Sequence, residues 1–190
     1  MNKTEIPRDH NQIWITPNVI TPAGCKKLID IHLDAKKIKV DYLQGNDINP
    51  PEDLPADATF KYDAHDGKEI SIVRGDEFTE AMKVVNSVIP PHIDFSTINY
   101  ASILRYTEGG FFAPHKDQAD MGDFATAIFT LNEDYLGGKF TVEPGITIDR
   151  CQGTMVAFNN STEVWHQVEP IYSGERYVFA IWFGREGNDV

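Results

Sequence analysis

The first hundred residues contain two segments in which apolar side chains recur every three or four positions, the spacing of one helix face. In the first segment, Thr21 suits the N-cap position and Pro22 the first helical position. This pattern predicts a helix over Pro22–Ala35. In the second segment, Asp76 is the expected N-cap and Pro90-Pro91 is the stop signal. The apolar face of this second predicted helix comprises Phe78, Met82, Val85 and Ile89.

From residue 98 onward the pattern changes to short runs rich in β-branched and aromatic residues, which is typical of strands. Turn-forming pairs such as Gly109-Gly110 and Gly137-Gly138 separate the runs. Because no helical segment lies between them, the pattern favours an antiparallel sandwich, jelly roll or barrel over an α/β sheet. The predicted fold is mainly β with flanking helices. Its predicted strands are Ile98–Tyr106, Phe124–Leu131, Lys139–Glu143, Gly153–Phe158, Trp165–Glu169 and Arg176–Phe183.

Between the two predicted helices lies a polar stretch, residues 45–67, with three prolines and no apolar periodicity. We expect a long loop there, which is either a functional lid or a plain linker. The chain of 190 residues has the size of one domain. We therefore expect a single domain over residues 1–190, in which 1–97 give helical support and 98–183 form the core that carries the site.

Composition narrows the classes of partner. The net charge of −12 disfavours nucleic acid, because a phosphate backbone needs clustered lysines and arginines. No apolar run is long enough to cross a membrane, and the first eleven residues lack the apolar segment of a secretory signal. A cytoplasmic location is the expectation. Cys25 and Cys151 lie far apart and form no Cys-x-x-Cys pair, so we expect two free thiols.

Three His-x-Asp triplets occur in the chain, and on a strand such a triplet points both side chains the same way. His32-Leu33-Asp34 lies in a predicted helix, where residues two apart diverge by about 200° around the axis. His92-Ile93-Asp94 lies where the helical part meets the β part, and its apolar neighbours suggest packing. His115-Lys116-Asp117 lies inside the β part, after the predicted turn at Gly109-Gly110. The third triplet is the favoured metal pair.

His166 completes this candidate metal site. It is the one histidine that follows Asp117, and it lies in a predicted strand. A lone histidine in a β-rich core usually has a hydrogen-bonding role, but two imidazoles and one carboxylate are the ligand set of Fe(II) in non-haem oxygenases. The combination of His115, Asp117 and His166 therefore favours iron.

Arg176 is the candidate anion anchor. It begins the last predicted strand, ten residues after His166, across a Ser173-Gly174 turn. If these two strands form a hairpin, the turn places Arg176 near the metal. A guanidinium can donate two parallel hydrogen bonds to the carboxylate of an acidic cosubstrate. The alternative for a solitary arginine is a surface ion pair.

Three blocks of the sequence resemble Fe(II)/2-oxoglutarate-dependent dioxygenases of the prolyl 4-hydroxylase type. The first block runs from Leu104-Arg105-Tyr106 to His115-Lys116-Asp117, and the second is Leu136–Val142 with its double glycine. The third includes Trp165-His166-Gln167-Val168 and Gly174-Glu175-Arg176. Together the blocks lie within residues 98–183. The resemblance implies a double-stranded β-helix, or jelly-roll, core.

The same resemblance implies a role for each matching residue. His115, Asp117 and His166 would bind iron, and Arg176 would form a salt bridge to the distal carboxylate of 2-oxoglutarate. Tyr106 matches a tyrosine that hydrogen-bonds the oxo acid in relatives. Two positions depart from the family pattern: Thr130 stands where many relatives have a tyrosine that binds the same carboxylate, and Lys139 replaces a frequent glutamate after the double glycine.

The implied activity is hydroxylation of a C–H bond with Fe(II), 2-oxoglutarate and dioxygen, on a prolyl or other protein side chain. Alternatives are a free small metabolite as substrate, a nucleic-acid demethylase of related fold, and a cupin-like metal-binding module without turnover. The demethylases carry a second arginine six residues after the anchor, whereas here the next arginine, Arg185, follows by nine. Retention of Tyr106 and Arg176 argues against the module without turnover.

Overall fold

The computed structural model describes residues 4–6, 13–35, 38–42, 59–62, 65–72, 75–85, 97–117, 123–142, 145–160 and 164–184. The helices are α1 (Pro22–Asp34) and α2 (Gly75–Val85). The strands are β1 (Thr4–Ile6), β2 (Ile13–Thr16), β3 (Ile38–Tyr42), β4 (Thr59–Tyr62), β5 (His65–Ile72), β6 (Thr97–His115), β7 (Asp123–Thr130), β8 (Leu136–Gly137), β9 (Phe140–Val142), β10 (Ile146–Ile148), β11 (Met155–Asn159), β12 (His166–Val168), β13 (Ile171–Ser173) and β14 (Arg176–Gly184).

Both predicted helices are present. At the start of α1, the side chain of Thr21 accepts a hydrogen bond from the Gly24 amide at 3.1 Å, which satisfies one of the amides that a helix start leaves open. The first helix is therefore confirmed nearly to the residue. The second begins at Gly75, so Asp76 is a first-turn residue and its prediction as the N-cap is wrong. Ile89 and Pro90-Pro91 lie outside the described residues.

One large sheet contains most of the strands, in the order β1-β2-β11-β7-β14-β6-β12-β9-β10, with every neighbouring pair antiparallel. Each predicted strand overlaps an observed one. Strands β3, β4 and β5 extend the same sheet from β6. The expected mainly β fold is therefore confirmed.

The prediction of one long loop over residues 45–67 is wrong at its C-terminal end. Strand β4 and the start of β5 lie inside that range, and β5 pairs with β6 over seven register positions. Pairing with a distant strand supplies the hydrogen bonds that the local polar sequence did not indicate. The rest of the range, 45–58, and the His92-Ile93-Asp94 triplet lie outside the described residues.

The turn predicted at Gly109-Gly110 is also wrong, because β6 continues through both glycines to His115. Gly109 has a φ of +80°, a conformation that glycine adopts without steric cost, so the strand passes this point without reversing. The first half of β6 pairs with β14 and its last residues pair with β12, on the edge opposite β5 in both cases. One strand thus joins two regions of the sheet.

The sheet has two apolar faces with different neighbours. The helix-side face packs against α1 and α2, and it includes Tyr177, Phe179, Ile181 and Phe183 of β14. The inner face includes Val178 and Ala180 of the same strand, together with aromatic and aliphatic residues of β6, β9, β11 and β12. Alternation along β14 therefore places neighbouring residues in two separate cores. Neither helix in the described part of the chain has the length and apolar character that a membrane span requires.

Candidate metal and oxo-acid site

Three of the predicted site residues meet where β6 ends. His115 is the last residue of β6 and lies directly opposite His166, the first residue of β12. Asp117 follows β6 by two positions. The candidate ligand atoms of these three side chains all lie within 4.8 Å of one another, and the described ranges contain no other group of three such residues. The fold therefore brings His166 next to the pair of His115 and Asp117, although His166 follows Asp117 by 49 positions in the sequence.

Both imidazoles turn the same nitrogen toward the carboxylate. The Nε2 atoms of His115 and His166 lie 3.9 Å and 3.7 Å from Asp117 Oδ1. The Nδ1 atom of His115 lies 2.9 Å from the carbonyl oxygen of Ala113, and Nδ1 of His166 lies 3.4 Å from that of Val164. A backbone acceptor at Nδ1 favours the tautomer that leaves the Nε2 lone pair for a metal.

Aromatic rings hold the two imidazoles in place. Phe112 stacks on His115 with ring centroids 3.4 Å apart, and Phe158 lies 4.9 Å from His166. Phe140 meets the edge of His166 at 5.9 Å. This apolar surround limits rotation of the imidazoles, and His166 is buried by it whereas His115 stays partly exposed.

The other oxygen of Asp117 receives two hydrogen bonds that the sequence did not reveal. Thr126 Oγ1 lies 2.5 Å from Asp117 Oδ2, and Trp182 Nε1 donates to the same atom at 3.1 Å. Asn160 Nδ2 donates in turn to Thr126 Oγ1 at 2.9 Å. Thr126 and Trp182 occupy core-spaced strand positions and Asn160 follows a predicted strand, so their local patterns carried no functional signal.

Arg176 lies deep on the inner face. It is 2% exposed, and its guanidinium carbon lies 5.3 Å from the centre of the Tyr106 ring and 5.9 Å from that of Phe140. Its Nε atom has no hydrogen-bond partner among the described residues. The surface ion pair considered as an alternative is therefore wrong for Arg176. A buried guanidinium with an unsatisfied donor is suited to an anionic ligand.

The expected hairpin between the strands of His166 and Arg176 is wrong. Strand β12 pairs with β6 and β9, whereas β14 pairs with β6 and β7. The two side chains share Phe140 as a common neighbour, since both lie 5.9 Å from its ring. Their proximity thus depends on the long strand β6 and on β9.

Tyr106 lies directly opposite Arg176 across β6 and β14 and is 2% exposed. Burial raises the pKa of its hydroxyl to about 12, with Arg176 lowering the pKa and Asp117 raising it. The hydroxyl therefore stays protonated at neutral pH and can donate a hydrogen bond. Thr130 ends β7, is buried, and pairs with Val178, two residues from Arg176 on the same face. The register places Thr130 at the position diagonal to Arg176 on the inner face.

The remaining singled-out residues lie toward solvent. Lys139 is half-exposed, with Nζ 3.9 Å from Glu169 Oε1. Trp165 is 41% exposed, and Lys116 Nζ lies 5.1 Å from the centre of its ring. Because Lys116 and Trp165 are sequence neighbours of the candidate ligands, they lie on the rim of the site.

Comparison with known proteins identifies the region that contains this site. Residues 101–184 match the family model described as the 2OG-Fe(II) oxygenase superfamily. The segment that contains the site is thus similar to 2OG-Fe(II) oxygenases. The cofactors of that superfamily are Fe(II), 2-oxoglutarate and dioxygen, and the donor set of the site fits the iron. The matched segment contains all six predicted site residues of the oxygenase, from Tyr106 to Arg176.

Solved structures extend the likeness of the oxygenase beyond the matched segment. A prolyl hydroxylase from Trichoplax adhaerens, in complex with a hypoxia-inducible factor peptide fragment, has a TM-score of 0.66 at 16% identity and covers 92% of this chain and 84% of its own. A prolyl-4-hydroxylase from Pseudomonas putida has a TM-score of 0.60 at 19% identity, covering 92% and 93%. A viral collagen prolyl hydroxylase from Paramecium bursaria Chlorella virus-1, as a 2-oxoglutarate complex, has a TM-score of 0.61 at 17% identity, covering 90% and 94%.

These likenesses show the fold, and they confirm the predicted jelly-roll core of the oxygenase. The family match supports the resemblance to Fe(II)/2-oxoglutarate-dependent dioxygenases, and the prolyl hydroxylase structures share the fold of this chain. No curated protein matches the chain in a sequence comparison.

Proposed function

We propose that this oxygenase hydroxylates a prolyl or other side chain of a protein, with iron held by His115, Asp117 and His166. Arg176 binds the distal carboxylate of 2-oxoglutarate, and Tyr106 and Thr130 assist it. Residues 1–190 act as one domain, in which the part before residue 98 supports the catalytic core. The observation that carries the proposal is the placement of the three metal-type ligands and the buried Arg176 around one apolar inner face.

The ligand set fits Fe(II) by its chemistry. Two imidazoles and one carboxylate on one side of a metal leave positions for a cosubstrate and dioxygen. In the described residues both histidines present Nε2 to Asp117 Oδ1, and carbonyl oxygens lie at both Nδ1 atoms. An oxo acid also fits, because Arg176 is buried with an unsatisfied Nε donor beside a protonated Tyr106. The two subsites share Phe140 as a wall.

The chain's own groups bind and orient. Arg176 and the hydroxyl of Tyr106 would hold the cosubstrate carboxylate, and the rings of Tyr106 and Phe140 shield the buried guanidinium from water. When bound, iron and 2-oxoglutarate supply the oxidative chemistry, in which dioxygen is consumed, the oxo acid becomes succinate and carbon dioxide, and a substrate C–H bond gains a hydroxyl. His115 and His166 keep their Nε2 atoms aimed at the metal position throughout.

A protein substrate is supported by the rim and by the neighbouring structures. Trp165 offers an exposed aromatic surface next to a candidate ligand, and aromatic residues are enriched where proteins bind partners. Among structures of the same fold, one contains a peptide fragment and another is a collagen prolyl hydroxylase. The charge of −12 continues to disfavour nucleic acid.

The proposal is tested by anaerobic binding followed by turnover. Fe(II) and 2-oxoglutarate are added to the metal-free protein without oxygen, binding is measured, and succinate is quantified after oxygen is admitted. Proline-containing peptides and small metabolites are then screened for a gain of one oxygen atom. We expect binding of both cofactors, succinate formation that the correct substrate accelerates, and an oxidised peptide.

Two variants and a matched control sharpen the test. His115→Ala should lose iron binding, and Arg176→Ala should raise the KM for 2-oxoglutarate while iron binding persists. Arg150→Ala is the control for Arg176→Ala, because Arg150 also lies over a tyrosine ring, 5.6 Å from the centre of Tyr135, but is exposed. Equal cofactor binding by the wild type and both site variants would contradict the assignment, and oxidation confined to metabolites would contradict the protein substrate.

A further inference from the structure

The two carboxylate oxygens of Asp117 have different neighbours. Oδ2 lies 2.5 Å from Thr126 Oγ1 and 3.1 Å from Trp182 Nε1. Oδ1 is the oxygen that faces Nε2 of both histidines, at 3.9 Å and 3.7 Å. One carboxylate oxygen is therefore held by the protein and the other is turned toward the metal position.

The direction of each hydrogen bond follows from a count of hydrogens. The Thr126 hydroxyl has one hydrogen, and a carboxylate that binds a metal can only accept. That hydrogen therefore points to Asp117 Oδ2. The Thr126 oxygen then accepts from Asn160 Nδ2 at 2.9 Å, and Asn160 Oδ1, although 3.1 Å away, receives no hydrogen from Thr126. Thr126 and Asn160 are both buried, so water does not compete for these bonds.

The indole of Trp182 is fixed by its neighbours on two strands. Trp182 pairs with Thr126 across β14 and β7, and with Tyr100 across β14 and β6. Its ring stacks on Tyr100 with centroids 4.4 Å apart and planes within 12°. The two donors to Asp117 thus stand side by side on adjacent strands, and the stacking holds the indole N–H in the direction of Oδ2.

We infer that Thr126, with Asn160 behind it, and Trp182 are positioning residues that restrict Asp117 to a single metal-binding oxygen, Oδ1. This inference rests on the proposed function, because it takes Asp117 to be a metal ligand. Without the two donors Oδ2 can turn toward the metal, so the carboxylate can bind through both oxygens and occupy a position that a cosubstrate needs. Loss of such outer partners typically lowers metal affinity about 10- to 100-fold.

The test measures metal binding and metal spectra instead of turnover. Metal-free wild type, Thr126→Val, Thr126→Ser and Trp182→Phe are titrated with Co(II) alone, and the visible absorption of the bound ion is recorded. Co(II) bands respond to the number of ligands, so they change if Asp117 begins to bind through two oxygens. Thr126→Val and Trp182→Phe should each weaken Co(II) binding about 10-fold or more and change the spectrum. Thr126→Ser, which keeps the hydroxyl, should restore both.

Matched controls separate positioning from general damage. Thr154→Val removes the hydroxyl of another buried threonine, one whose Oγ1 has no hydrogen-bond partner in the described structure, and Trp14→Phe shortens a tryptophan on the helix-side face. Both controls should bind Co(II) as the wild type does. Site variants with wild-type affinity and spectra would overturn the inference and leave the proposed function intact. Wild type that binds no Co(II) or Fe(II) would overturn both.

Discussion

Two His-x-Asp triplets lie on opposite faces of one sheet. Only one of them brings its histidine and aspartate together, because the backbone conformation differs between the two. In α1, His32 is fully buried against Tyr177, while Asp34, two residues later, is exposed. At the end of β6, His115 and Asp117 point into the same site. Residues two apart lie on different sides of a helix, so α1 separates its pair, whereas β6 ends at His115 and the chain beyond it brings Asp117 back to the site. A ligand motif therefore has meaning only together with its secondary structure.

Strand β14 connects the two regions. Tyr177 faces the helix side and contacts His32, whereas its neighbour Arg176 faces the inner side. His32 therefore supports the sheet from its helix side, one residue along β14 from Arg176, which we propose binds the cosubstrate. Substitutions on the helix side should change the free energy of unfolding, whereas substitutions on the inner side should change the binding of iron or 2-oxoglutarate.

The largest expected effect is the loss of Fe(II) affinity in Asp117→Ala, and Asp34→Ala is its control. Asp117→Ala removes a proposed ligand, so Fe(II) affinity should fall by more than about 1,000-fold, or about 4 kcal/mol, since even outer partners cost 10- to 100-fold. Asp34→Ala alters an exposed carboxylate with the same sequence spacing and should leave affinity unchanged. Anaerobic calorimetric titration measures both. Similar losses in the two variants would remove the distinction between the triplets.

The second effect concerns the space beside Arg176 on the inner face, and it tests whether 2-oxoglutarate binding depends on that space. Gly138 has a φ of +60°, and a Cβ there would overlap Ile171 Cδ1 and lie 3.3 Å from Arg176 Cδ. Gly138→Ala should cost about 3 kcal/mol of unfolding free energy, from backbone strain plus overpacking, and raise the KM for 2-oxoglutarate. Urea unfolding and succinate assays measure these changes.

The control for this glycine is Gly145→Ala. Gly145 has a φ of +81°, but no atom of the described residues lies within 4 Å of the position that a Cβ would take, so only the backbone cost of about 1 kcal/mol should remain. Equal destabilisation of the two variants, with KM unchanged in both, would show that Arg176 does not depend on the space at Gly138.

The third effect concerns the helix triplet. His32 is fully buried, with its ring 5.7 Å from that of Tyr177 in an edge-on arrangement. His32→Ala should cost about 2 kcal/mol of unfolding free energy, because it leaves a cavity, and should keep Fe(II) affinity. His115→Ala should show the opposite result, with affinity lost and stability of the metal-free protein nearly kept. Urea unfolding and metal titration of both variants measure these changes. A loss of iron binding in His32→Ala would contradict a purely structural role for His32.

The sequence predicted those features that depend on local pattern. Thr21 and Pro22 located α1, and the β context selected the triplet at His115 from three candidates. Pairing between distant strands was not predictable locally: β5 is polar, yet it pairs with β6, and β6 passes through two glycines that resembled a turn. The donors to Asp117 come from β7 and β14, so only the register of the sheet brings them together.

The smallest expected effect lies where the two regions meet, at Glu175. Its Oε2 accepts from Tyr177 Oη at 2.7 Å and its Oε1 pairs with Arg105, whose hydrogen bond is the main cause that lowers the pKa of Glu175 below its ordinary value of 4.5. A lowered folded pKa gives stability that is fully present above pH 4.5 and is lost as the pH falls through the folded pKa. Because the carboxylate is 42% exposed, Glu175→Gln should cost less than about 1 kcal/mol. Urea unfolding over a pH series should show that the difference in unfolding free energy between Glu175→Gln and wild type becomes smaller in acid. A difference that does not change with pH would mean that packing, and not charge, links the helix triplet to the strand of Arg176.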